Sequence, residues 1–93
     1  MSHKILALIT VENKEAIAKY REGAKDALAK HGGAVLSAAP ISDTYEEGTN
    51  KPSSFALIEF PNKEAAQAWH NDPELQDLHA LRRSSGQSTI FDV

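Results

Sequence analysis

Cysteine is absent from the sequence, so neither a disulfide nor a thiolate metal site can hold the chain together. That absence fits a reducing compartment, and a cytoplasmic location is expected. There is no long hydrophobic run either. The longest, Ile5–Ile9, is far too short to span a bilayer, so no membrane segment is expected. The opening residues Met1–Lys4 lead straight into that run without a small-residue cleavage site, which reads as a first strand and not a signal peptide. Basic residues form no stripe. The net charge is -3, and Arg82-Arg83 is too short a basic run for a nucleic-acid binder. No repeat, low-complexity segment or linker divides the 93 residues, which make a single domain. A domain of that size hides only about 60–65% of the surface of its unfolded chain, so a partner subunit would add much to its stability.

What is present is a regular alternation of elements. Ile5–Val11 is β-branched and apolar on both alternating faces, with Ile5, Ala7, Ile9 and Val11 on one side and Leu6, Leu8 and Thr10 on the other. Such a strand has to be covered on both faces. Asn13 is a good N-cap for a helix over Lys14–Lys30, where Ile17, Tyr20, Ala24, Ala27 and Leu28 make one apolar stripe. Gly32-Gly33 stops it. Ala34–Ala39 reads as a second strand, which Pro40 places at an edge or a bulge and which Ser42–Glu46 would resume. A polar turn over 47–52 leads to a third strand, Ser53–Phe60, with Phe55, Leu57 and Glu59 on one face and Ala56, Ile58 and Phe60 on the other. Asn62 caps a second helix with Ala65, Ala66 and Trp69 on its apolar side. Asp72-Pro73 starts a further helical turn, and Leu75, Leu78 and Leu81 continue the stripe. Ser84–Gly86 breaks it before a last strand over Ser88–Val93.

The order β-α-β-β-α-β is the split βαβ, or ferredoxin-like, arrangement, an α+β fold with a four-stranded antiparallel sheet and both helices on one face. Strands one and three are apolar on the other face too. The simplest cover is the same face of a second copy about a two-fold axis, so the expectation is a homodimer forming a dimeric α/β barrel.

The stretch from Ile58 to Trp69 (IEFPNKEAAQAW), the segment Asn71–Gln76 (NDPELQ), Tyr20, Lys30–Gly33 and Leu81-Arg82 together resemble the DUF1330 domain of unknown function, within the dimeric α/β-barrel superfamily. The resemblance covers nearly the whole chain and implies the same fold and pairing. Related barrels include cofactor-free monooxygenases, isomerases and haem-degrading enzymes, and fold analogy does not choose among them.

Among polar residues Glu59 stands out, because a carboxylate in an apolar strand is costly to desolvate unless paired. It reads as a general base or ligand anchor, as one half of a structural ion pair for which Arg82 is the natural partner, or as a solvated strand end. Arg82 could equally hold an anionic substrate. Trp69 and Tyr20 read first as packing residues and second as walls of a ligand cleft between helices and sheet. His79, near Arg82 on one helical face, would border that cleft. The four histidines His3, His31, His70 and His79 show no metal-ligand spacing. No nucleophile elbow or phosphate loop is present, so no metal or cofactor is expected. Two functions stay open on this reading. One is a cofactor-free enzyme or binding protein for a small organic ligand, anions included, with Glu59 and Arg82 catalytic and Tyr20, Trp69 and His79 binding. The other is a non-catalytic homodimeric module.

Overall fold

Alternation along the strands decides the architecture. In the computed structural model, which describes residues 2–49 and 51–93, β1 (His3–Val11) buries Ile5, Ala7 and Ile9 on one face. It leaves Leu6 and Leu8 half-buried on the other. β1 pairs antiparallel with β3 (Ser54–Phe60), Ile5 against Ile58 and Leu6 against Leu57, and with β4 (Gly86–Asp92), Leu6 against Phe91. β2 (Ala34–Pro40) pairs with β3 on its far side, so the sheet order is β2-β3-β1-β4. All pairings are antiparallel, as the sequence predicts, and β2 is an edge strand, where a proline is tolerated. The irregularity lies four residues before the proline. The register slips between Val35 and Ser37, and Leu36 is the extra residue of a bulge.

Helices occupy one face of the sheet. α1 (Lys14–Lys30) starts at Asn13, whose side chain accepts from the backbone N–H groups of Glu15 and Ala16, both at 3.1 Å. It ends where Gly33 N–H donates to Leu28 C=O and Gly32 N–H to Ala29 C=O. Gly32 sits at φ +74°, the left-handed position this ending requires. α2 (Lys63–Asn71) is capped by Asn62. A single 3₁₀ turn (Pro73–Leu75), capped by Asp72, joins it to α3 (Gln76–Ser84). The Asp72 carboxylate accepts from Glu74 N–H at 2.9 Å, Lys30 Nζ at 2.7 Å and His31 Nε2 at 2.8 Å. This clamps the end of α1 to the α2–α3 corner. His31, just beyond the end of α1, is one arm of that clamp. The core between layers is Ile5, Leu28, Ile58, Phe60, Ala66 and Trp69.

One expectation is corrected. Residues 42–46 do not resume β2. Ile41 N–H donates the last bond, to Ser53 C=O at 2.8 Å; β3 begins beside it at Ser54, so no strand is left to pair with the polar residues that follow. Asn50, in the expected polar turn, lies outside the described residues, as does Met1. No helix among the described residues is long and apolar enough to cross a membrane.

Candidate functional site

Side chains from all three helices converge above the sheet. Trp69, in the last half of α2, is 2% exposed and packs on Phe60 with ring centroids 5.7 Å apart. His79 on α3 is fully buried and meets the Trp69 ring edge-on at 4.8 Å and 85°. Arg82, one helical turn further on, is 2% exposed. Its Nη1 lies 2.8 Å from His79 Nδ1 and 3.4 Å from the hydroxyl of Tyr20 on α1. Its guanidinium carbon sits 5.5 Å from the centre of both the Tyr20 and Trp69 rings, within cation–π range. Four of the five residues singled out in the sequence therefore meet, because α1 and α3 pack side by side, with α3 against β4 and α1 towards β2.

The proton positions in this cluster follow from its donors. A guanidinium can only donate, so His79 Nδ1 accepts from Arg82. His79 Nε2 then carries the proton and donates to Trp69 C=O at 3.0 Å. Both ring nitrogens are used by the neutral imidazole. Burial pushes the His79 pKa below its ordinary 6.5, reinforced by the nearby charge of Arg82 and opposed by the hydrogen bond to the Trp69 carbonyl. Ser85, also fully buried, closes α3 by donating its hydroxyl to Arg82 C=O at 2.6 Å. Its own carbonyl accepts from Glu12 and Asn13 N–H. That fixes the end of α3 to the corner before α1.

Arg82 itself is incompletely satisfied. Its Nε is buried with no hydrogen-bond partner, and it forms no ion pair with a carboxylate among the described residues. The expected Glu59–Arg82 pair does not form. Glu59 alternates with Ile58 and Phe60 on β3, so it points to the face of the sheet away from the helices. There it stands opposite Lys4, Nζ to carboxylate 3.8 Å. A general base at Glu59 cannot serve a cleft on the helix side.

Beside the cluster, a cleft of about 250 Å³ opens between α2 and the β1–β4 side of the sheet. Ile5, Ala66, Trp69 and Ile90 give it apolar walls, and Gln67, His70, Asn71 and Asp92 a polar rim. Asp92 is hydrogen-bonded to His3 Nε2 at 2.7 Å and lies 3.6 Å from Lys63 Nζ. The bond from His3 holds its carboxyl below the usual carboxylate range. The sequence did not point to His70 and Asp92 as rim residues; Asp92 and its partner His3 are 89 positions apart and become neighbours only when the first and last strands pair. Among the described residues no three metal-ligating side chains converge.

The fold and this cleft define a ferredoxin-like α+β domain with a pocket between its helices and its sheet. The profile of the domain of unknown function DUF1330 matches residues 4–93, and the chain belongs to that family. Among solved structures it is similar to the RPA0582 protein of unknown function from Rhodopseudomonas palustris (TM-score 0.81, 15% identity, covering 99% of this chain and 80% of that one). It also resembles a dimeric ferredoxin-like protein of unknown function from Jannaschia sp. CCS1 (TM-score 0.68, 20% identity, 100% and 98% covered). A third similar structure is SnoaB, a cofactor-independent oxygenase from Streptomyces nogalater (TM-score 0.70, 12% identity, 99% and 90% covered). At these identities the likeness is one of fold. No curated protein matches the chain in sequence.

Proposed function

We propose that the chain acts as a homodimer, open sheet face against open sheet face, and that each subunit binds a small organic molecule in the cleft between α2 and β4. The observation that carries the binding reading is the cleft itself, an apolar hollow walled by Trp69 and bordered by a few polar groups, which is the usual anatomy of a small-molecule site. The homodimer rests on the second face of the sheet. Leu6, Leu8, Phe55 and Leu57 are only half-covered there and Phe91 is exposed. A matching face of a second copy would remove that surface from water. The similar protein from Jannaschia is dimeric, which supports a dimer here.

The cofactor-independent oxygenase of similar fold extends the reading to a cofactor-free enzyme, by analogy of fold. The groups here that could move a proton are His70 at the rim and His3, which hydrogen-bonds the rim residue Asp92. Asp92 fixes the ring of His3, and a carboxylate-held imidazole is a common proton acceptor. His79, with both nitrogens engaged, is a positioning residue for Arg82 and Trp69. Trp69 is the only tryptophan, so its emission reports the cleft directly. Titrating the protein with a panel of small aromatic and aliphatic compounds should change that emission saturably for at least one chemical class. Ala66→Leu, which fills the cleft from α2, should abolish the change. A panel that leaves emission and melting temperature untouched would support the non-catalytic module instead.

A further inference from the structure

We propose that Arg82 is an anion anchor and that the molecule it takes carries a carboxylate. The inference deepens the cleft reading, since Trp69 belongs to both places: its ring walls the cleft and lies 5.5 Å from the Arg82 guanidinium carbon.

A guanidinium keeps its proton at any physiological pH, and a charge taken out of water is costly unless it is paired. Elsewhere in this chain, buried charge is answered. Asp72, at 8% exposure, has Lys30 and His31 within 2.8 Å. Arg82, at 2% exposure, has two neutral acceptors, His79 Nδ1 and the Tyr20 hydroxyl, and both fall on the same nitrogen, Nη1. The carbonyl end of α3 and the faces of Tyr20 and Trp69 offset part of the charge. None of them supplies a negative charge.

The geometry then selects the ligand. Nε is buried without a partner, and Nη2 makes no hydrogen bond among the described residues. Nε–H and the adjacent Nη2–H point the same way in the guanidinium plane. They form the fork that fits the two oxygens of a carboxylate. One positive charge beside a neutral His79 balances a monoanion. The two-pronged edge made by Nε and Nη2 matches the two coplanar oxygens of a carboxylate better than a tetrahedral dianion, and the guanidinium is held 5.5 Å from the ring centres of Tyr20 and Trp69. Of the cluster only Tyr20 is half-exposed, and its 3.4 Å bond to Nη1 is the longest there. Tyr20 is therefore the side chain that would turn aside to admit the ligand.

The test is ¹H–¹⁵N NMR on the intact wild-type protein, following the Arg82 Nε–Hε and Trp69 indole signals with sodium benzoate, sodium acetate, neutral benzamide and inorganic phosphate. The expected result is a saturable shift of the Arg82 signal with benzoate and acetate but not with benzamide, and a Trp69 shift with both benzoate and benzamide. Arg82→Lys keeps the charge and loses the fork, and should weaken benzoate binding by about tenfold or more. An Arg82 signal unmoved by either carboxylate overturns the anchor. If Trp69 still responds, the cleft survives that failure; if neither signal moves, both fall. An Arg82 response without one from Trp69 upholds the anchor and removes the cleft. A stronger response to phosphate than to benzoate overturns the choice of a carboxylate.

Discussion

Replacing Arg82 by methionine separates a buried charge held for a ligand from one half of a hidden ion pair. Where a buried pair is broken, the abandoned partner makes the loss about 3–5 kcal/mol. No carboxylate stands beside Arg82 among the described residues, so Arg82→Met should orphan only two neutral acceptors. The Tyr20 hydroxyl is half-exposed and can turn to water. His79 Nδ1 is fully buried and cannot, and an unsatisfied buried acceptor costs about 1–3 kcal/mol. The methionine stem keeps most of the packing against Trp69 and removes the desolvated charge, which offsets part of this loss. The expected net destabilisation is about 1–2 kcal/mol in urea unfolding followed by circular dichroism, with an unchanged dependence on denaturant. Adding His79→Leu should recover part of it, since the orphaned nitrogen goes with the ring. A loss of about 5 kcal/mol or more, or a chain that fails to fold, would refute the reasoning. It would mean that Arg82 already has an anionic partner.

Two further outcomes follow from the same packing. His79 is held neutral in the fold, with its pKa below the ordinary 6.5 of the unfolded chain. Between those two values the unfolded state binds the extra proton, so stability rises with pH there. Its contribution should be complete above about pH 6.5 and fade as the solution is acidified below it. Denaturation curves of wild type and His79→Gln across that window would check this, and equal pH slopes would contradict it. Gly33→Ala would place a methyl carbon 2.6 Å from the ring of Phe60, which is buried at 1% exposure and has nowhere to move. Overpacking of this kind should cost about 1–3 kcal/mol, read as a lower melting temperature, and a neutral substitution would show that the corner after α1 is looser than it looks.

Much of the fold was legible because its signals are local. Asn13 and Asn62 announce their helices by side-chain chemistry, Gly32 ends one by its left-handed backbone, and Ile5–Val11 shows two apolar faces at a period of two. The chain after Pro40 was not legible as irregular. Its polar residues fit a strand until one sees that β3 begins too late to pair with them. The site divided the same way. Tyr20, Trp69, His79 and Arg82 lie on helical stripes facing one layer, so their meeting follows from helix packing. Glu59 was misassigned because sequence alternation says that it faces away from Ile58 but not which face the helices take. The Asp92–His3 pair joins opposite ends of the chain and needed the strand order β3-β1-β4 to be known. The bare Nε of Arg82 is a property of packing alone, invisible to any spacing rule.

The proposed pairing turns on the face that carries Leu6, Leu8, Phe55, Leu57 and Phe91, which a second copy would cover. Sedimentation equilibrium of the pure protein at micromolar concentration addresses this most directly. The account predicts one species with the mass of two chains. A well-folded species with the mass of one chain would contradict it.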